Sequence, residues 1–115
     1  VTFGLKDGLC ALQAAGTQVT SLSLVGGGSR SAFWAQLLAD ILQVNICTHV
    51  GSEAGGALGA ARLGALAYGL SEGEGCGKPP VLQTYVPRVE SAILEVRYQQ
   101  FKTVYSALKP IFPCA

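Results

Sequence analysis

Charge is what this sequence has least of. Only 13% of its 115 residues are Asp, Glu, Lys or Arg, against about 25% in an average soluble domain. Half of the chain is apolar and the mean hydropathy is +0.39. So sparse a set of charges predicts a surface largely covered by something outside the chain, as in a fragment of a larger protein. The longest charge-free run, Gly8 to Ser29, is broken by Gln13, Thr17, Gln18, Thr20 and three consecutive glycines, which excludes a membrane span of about 20 apolar residues. No basic region followed by an apolar core opens the sequence as given, so no signal peptide is expected in it. Eight basic and seven acidic residues leave a net charge of +1 with no stripe of one sign, and neither a nucleic-acid surface nor a membrane surface is expected. The four cysteines, Cys10, Cys47, Cys76 and Cys114, form no C-x-x-C pair, and His49 is the sole histidine. That spacing argues against a zinc site and a disulfide framework, and predicts free thiols and a cytoplasmic protein.

Apolar spacing divides the rest into alternating elements. Leu5, Leu9 and Leu12 recur at helical intervals before Gly16, so Val1–Ala15 reads as the tail of a helix. Val19–Val25 sets Thr20, Leu22 and Leu24 against Ser21 and Ser23, a strand that stops at the glycines. From Ser31, the positions Phe33, Trp34, Leu37, Leu38 and Ile41 follow helical spacing, with Ser29 or Ser31 placed to cap the first N–H groups. Val44–Thr48 is β-branched and leads into Gly51-Ser52-Glu53, a second strand with a turn. Ala54–Tyr68 is mostly Ala and Gly, a helix suited to very close packing and ended by Gly69. Residues 70–84, with their glycines and Pro79-Pro80, read as a variable loop. A closing helix over 88–109 carries Leu94, Tyr98, Phe101, Tyr105 and Leu108 on one stripe.

Strands joined by helical crossovers mean an α/β layer with a parallel or mixed sheet. Two short strands do not make a self-sufficient sheet. Further strands are therefore expected from outside the chain, and the open edges predict self-association of the chain on its own, as a homo-oligomer.

The segment Val25-Gly26-Gly27-Gly28-Ser29-Arg30-Ser31 joins a strand to a helix. Residues without Cβ let a ligand approach the main chain, and the helix start offers unpaired N–H groups, so a phosphate or nucleotide is the natural guest. The same turn would also serve as a plain tight connection, and the residues alone do not separate the two. It matches neither the Walker loop nor the G-x-G-x-x-G pattern. Arg30 is placed either to reach a phosphate or adenine or simply to be solvated. Trp34 reads as core, His49 as a packing histidine, and Glu53 as a turn carboxylate at a helix start.

The wider pattern, Leu24 to Leu42 with its glycine turn followed by Trp34, Gln36, Leu38, Ala39 and Asp40, resembles the C-terminal signature of the FGGY carbohydrate kinases. Phe3–Gly8, Gly55–Ala61 and Tyr98–Pro110 resemble further segments of that family. The resemblance implies that residues 1–115 are a C-terminal portion of the nucleotide-binding domain of an ATP-dependent sugar kinase. The implied fold is the ribonuclease-H-like, actin-type ATPase fold, incomplete in this chain. It further implies ATP contacts at Gly26, Gly27, Gly28, Arg30 and Ser31. Magnesium would be held mainly by residues elsewhere, and a pentulose mainly by another domain. Ribulose, gluconate and glycerol are the other sugar classes the family suggests.

Phosphoryl transfer needs a base at the sugar hydroxyl and carboxylate support for magnesium. The acidic residues are Asp7, Asp40, Glu53, Glu72, Glu74, Glu90 and Glu95, and none stands in the family's Asp-x-Gly-Thr phosphate loop. No catalytic residue is therefore expected here, and Asp7 and Asp40 read as structural. The competing expectation is a non-enzymatic interaction module whose apolar faces recruit a partner.

Overall fold

The computed structural model describes residues 1–71, 73, 77–88 and 91–112, the side chain of Ser91 excepted. Glu72, Glu74, Glu90, Cys76 and Cys114 lie outside the described residues. Among the described residues four helices accompany one sheet: α1 Thr2–Ala14, β1 Ser21–Ser23, α2 Ala32–Leu42, β2 Asn45–His49, α3 Gly55–Ala67, β3 Val81–Tyr85 and α4 Ser91–Leu108. Short 3-10 turns at Gly27–Arg30 and Ser52–Ala54 precede α2 and α3.

The sheet is mixed, in the order β1-β2-β3. β1 and β2 run parallel, pairing Ser21 with Asn45 and Ser23 with Cys47, and α2 supplies the crossover that a parallel pair requires. β3 returns antiparallel to β2 with Ile46 opposite Tyr85, and a register shift interrupts the ladder between Thr48 and His49. The strand at Val81–Tyr85 corrects the expectation of a loop through residue 84. Four of its five residues are exposed and only Tyr85 is buried, so no alternation marked it in the sequence. The first strand is also shorter than the expected Val19–Val25, because only Ser21–Ser23 finds ladder partners on β2.

The core lies on one face of this sheet. Leu9 of α1, Ala35, Leu38 and Ala39 of α2, and Val44, Ile46 and Tyr85 beneath them form one buried cluster, with Trp34 packed at its margin. Ala35 and Ala39 have no exposed surface, which brings α2 close to the strands. Phe33, expected on the apolar stripe, instead points to solvent at 78% exposure. Two residues before Ala35, it lies on the side of α2 turned away from the Ala35–Ala39 face that meets the sheet. Beside β1 a mainly apolar groove of about 390 Å³ runs between α1 and the strand, past Leu5, Leu12 and Leu22. β1 pairs on one side only, so the groove and the open edge lie together.

Two polar latches fix the last helix. Asp40, 5% exposed, accepts the Arg88 backbone N–H at 2.9 Å, the Arg88 guanidinium at 3.3 Å and the Gln36 amide at 3.0 Å. Burial alone would raise its carboxyl, but these donors and the nearby Arg88 charge outweigh it and hold the pKa below the usual value. Tyr98 of α4 donates its hydroxyl to Asp7 of α1, with Phe3 at 5.8 Å between ring centroids and the Lys6 ammonium 4.5 Å above its ring. Lys6 also pairs with Glu95 at 2.8 Å. Beyond Tyr98 the stripe is less covered, with Tyr105 57% exposed. No residue of α3 is buried, so the close packing its Ala and Gly permit has no counterpart among the described residues.

Candidate functional site

The two loops that follow the parallel strands meet at their C-terminal ends. Gly26, with φ of +83°, turns the chain out of β1 through a conformation that favours glycine. Its N–H donates to the Ser52 carbonyl at 2.7 Å, which ties the first loop to the second. Ser29 folds back, its N–H reaching the Gly26 carbonyl at 3.0 Å and its hydroxyl donating to the same oxygen at 2.7 Å. The Ser52 hydroxyl in turn donates to Ser29 Oγ at 3.1 Å. Neither serine link was marked by any motif. Both serines were visible in the sequence as turn residues, but their meeting depends on the parallel pairing of β1 with β2.

Within this frame the three glycines differ. Gly26 is required by its backbone angle. A Cβ on Gly28 would run into the Trp34 indole, so packing alone accounts for that glycine. A Cβ on Gly27 would meet nothing within 4 Å, and Gly27 does not have a positive φ. The fold itself sets no need for glycine at 27.

Ser31 caps α2, its Oγ accepting the Trp34 N–H at 3.2 Å, as expected of one of the two serines named for that role. Its hydroxyl proton remains available to a neighbour. Arg30, exposed at the end of the 3-10 turn, has no hydrogen bond or ion pair among the described residues. With glycine as N-cap, the 3-10 turn has no side chain to meet its leading N–H groups. The donor set at the turn is thus main-chain N–H, hydroxyl and guanidinium, which suits an anion. It does not suit magnesium, which takes oxygen ligands dominated by carboxylates. Among the described residues no group of three or more His, Cys, Asp or Glu is placed to hold a metal.

A cavity of about 250 Å³ opens behind the turn, lined by Val25, His49, Ser52, Gly55, Arg62 and Lys78 among others. Its buried histidine is already occupied: Nδ1 meets the Pro79 carbonyl at 3.1 Å and Nε2 meets Ser23 Oγ at 2.9 Å. With Nδ1–H given to the carbonyl, Nε2 accepts the serine proton. His49 is therefore a packing histidine that ties β1 to the approach to β3.

Three of the four described carboxylates are likewise committed. Asp7 and Asp40 hold α4, Glu95 sits with Lys6 and Gln99, and Glu53 is exposed in the first turn of its 3-10 helix. Cys10 and Cys47 are free thiols. No helix among the described residues is long and apolar enough to cross a membrane.

Comparison with known proteins agrees with this layout. The chain is 34% identical over 96% of its length to a xylulose kinase of Escherichia coli, of which it spans 24%. The crystal structure of a xylulose kinase from Brucella ovis superposes with a TM-score of 0.73 at 40% identity, over 96% of this chain and 24% of that one. A ligand-bound xylulose kinase from Lactobacillus acidophilus gives 0.68 at 25% identity, over 94% of this chain and 22% of that one. The chain thus spans about a quarter of the length of these relatives, and the incomplete sheet belongs to the actin-like ATPase fold of the sugar kinases. Residues 1–68 match the C-terminal domain of the FGGY carbohydrate kinases, and the chain belongs to that family.

Proposed function

We propose that this chain is a C-terminal portion of the nucleotide-binding domain of an ATP-dependent kinase. The intact kinase would transfer the γ-phosphate to D-xylulose and release D-xylulose 5-phosphate, with Gly26–Ser31 receiving the nucleotide. The observation that carries the nucleotide assignment is Gly27. Its neighbours are explained by backbone angle and by Trp34, whereas Gly27, between them on the same turn, leaves room for a ligand to approach the main chain closely. Gly26 and Gly28 shape the main chain around it, Arg30 supplies an unpaired positive charge for phosphate or adenine, and Ser31 offers its hydroxyl proton.

The chemical step is assigned to the remainder of the intact kinase. Asp7, Asp40 and Glu95 are tied to Tyr98, Arg88, Gln36 and Lys6, which gives them no part as base at the sugar hydroxyl or as support for magnesium. Magnesium, where it binds, neutralises charge on the transferring phosphate. This chain's part is to hold and orient the nucleotide. The xylulose kinases among its relatives support a pentulose as acceptor, and free thiols at Cys10 and Cys47 suit a cytoplasmic setting.

The test is a coupled assay of the intact kinase with ATP against D-xylulose, D-ribulose, gluconate and glycerol. The highest kcat/KM is expected for D-xylulose. A higher value for any of the other three would reassign the substrate and leave the nucleotide role standing.

A further inference from the structure

We propose that Ser29 and Ser52 are positioning residues for the nucleotide, a role that rests on reading Gly26–Ser31 as the ATP-binding turn. The two loops at the strand ends touch through a closed ring of hydrogen bonds. Gly26 N–H reaches the Ser52 carbonyl at 2.7 Å, Ser52 O–H reaches Ser29 Oγ at 3.1 Å, and Ser29 O–H reaches the Gly26 carbonyl at 2.7 Å. Every link ends on Gly26 or on a residue bonded to it. The ring therefore fixes the direction of the main chain one residue before Gly27, where the nucleotide approaches.

Ser29 is the critical member. It accepts from Ser52 and donates to Gly26, so Ser29→Ala breaks two links at once and strands the Ser52 hydroxyl, which is 7% exposed, without its acceptor. Ser52→Ala breaks one link and leaves Ser29 on Gly26. Neither hydroxyl is needed to hold the core, which gathers around Leu9, Leu38 and Ile46 rather than at the strand ends. Loosening the ring widens the set of turn conformations, and only a fraction of them accepts the nucleotide, so the apparent affinity falls by that fraction.

The experiment uses the intact kinase and measures KM for ATP, KM for D-xylulose and kcat for Ser29→Ala, Ser52→Ala, Ser29→Thr, Gly27→Val and the remote control Tyr98→Phe. Ser29→Ala is expected to raise the ATP KM about five- to tenfold with kcat and sugar KM within about twofold, Ser52→Ala to raise it less, and Ser29→Thr, which keeps the hydroxyl, to stay near wild type. Tyr98→Phe lowers the melting temperature without moving the ATP KM. An unchanged ATP KM in Ser29→Ala alongside a raised one in Gly27→Val would overturn the positioning role and leave the turn as the site. An unchanged ATP KM in both removes the turn itself. Failure of Ser29→Thr to restore the value, or an equal effect of Tyr98→Phe, would show that general destabilisation rather than the hydroxyl ring is responsible.

Discussion

The indole of Trp34 fills the space that a β-carbon on Gly28 would need, while its Nε1–H reaches Thr2 Oγ1 at 3.3 Å. One aromatic ring thus joins the glycine turn, the start of α2 and the start of α1. Gly28→Ala is therefore expected to destabilise the fold by about 1–3 kcal/mol through overpacking, read as a lower melting temperature. A Cβ at Gly27 meets nothing within 4 Å, so Gly27→Val is expected to fold with little loss, yet to raise the ATP KM of the intact kinase at least about tenfold, roughly 1.4 kcal/mol. Equal stability losses in the two variants would contradict this division of roles.

Asp40 gives a pH signature. Its carboxyl is held below the usual value in the folded chain, so its contribution is present above the unfolded pKa of about 4 and is lost as pH falls through the folded one. Urea melts from pH 7 down to about pH 2.5 should show stability falling below about pH 4, with a shallower fall in Asp40→Asn. Asp40→Ala is expected to cost about 1–3 kcal/mol at pH 7, because the Arg88 N–H loses its acceptor and the Gln36 amide keeps only the Val86 carbonyl.

Tyr98 runs the other way. Its hydrogen bond to Asp7, then burial, raises the phenol above its ordinary range. Its contribution is thus present below the unfolded value of about 10 and lost as pH rises through the folded one. Phenolate absorbance of wild type and Tyr98→Phe should coincide up to about pH 11. A clear deficit in the variant below that pH would place Tyr98 outside the Asp7 contact. At neutral pH, Tyr98→Phe is expected to lose about 1 kcal/mol.

The 115-residue chain alone is expected to phosphorylate no sugar. Positioning of two substrates and stabilisation of transferring charge are the main terms in phosphoryl transfer, and Asp7, Asp40 and Glu95 are spent on structure. A coupled assay with ATP, magnesium and D-xylulose checks this against a boiled control. Turnover above that control would mean that one of these acidic residues acts on the sugar.

Much of this architecture is legible in residue spacing. Leu9 and Leu38 are buried where helical spacing put them, Gly16 and Gly69 follow helices with φ of +94° and +106°, and Ser31 caps α2. Val81–Tyr85 was not legible as a strand because it is an edge element whose side chains are mostly exposed, and the glycines and prolines before it carry the stronger local signal. Phe33 shows the converse, an apolar residue on the side of α2 away from the Ala35–Ala39 face. At the site, the glycine turn announces itself as three adjacent glycines, but their separate reasons do not. Distinguishing Gly28 from Gly27 requires knowing where the Trp34 ring lies, and the bond from Ser52 to Ser29 joins residues brought together only by the sheet.

The two latches of α4 have a kinetic side. Asp7 and Tyr98 lie 91 residues apart in sequence, yet the Trp34–Thr2 contact and the Asp40–Arg88 contact shorten the free path between them to about twenty residues. Closure entropy scales as about (3/2)RT ln n, so these anchors raise the effective concentration of Tyr98 at Asp7 by close to tenfold, about 1.3 kcal/mol. Loss of Asp40 then weakens a contact that it never touches. The double variant Asp40→Ala with Tyr98→Phe should lose less stability than the sum of the single losses, and amide exchange in α4 should accelerate in Asp40→Ala before the β1–β2 ladder opens.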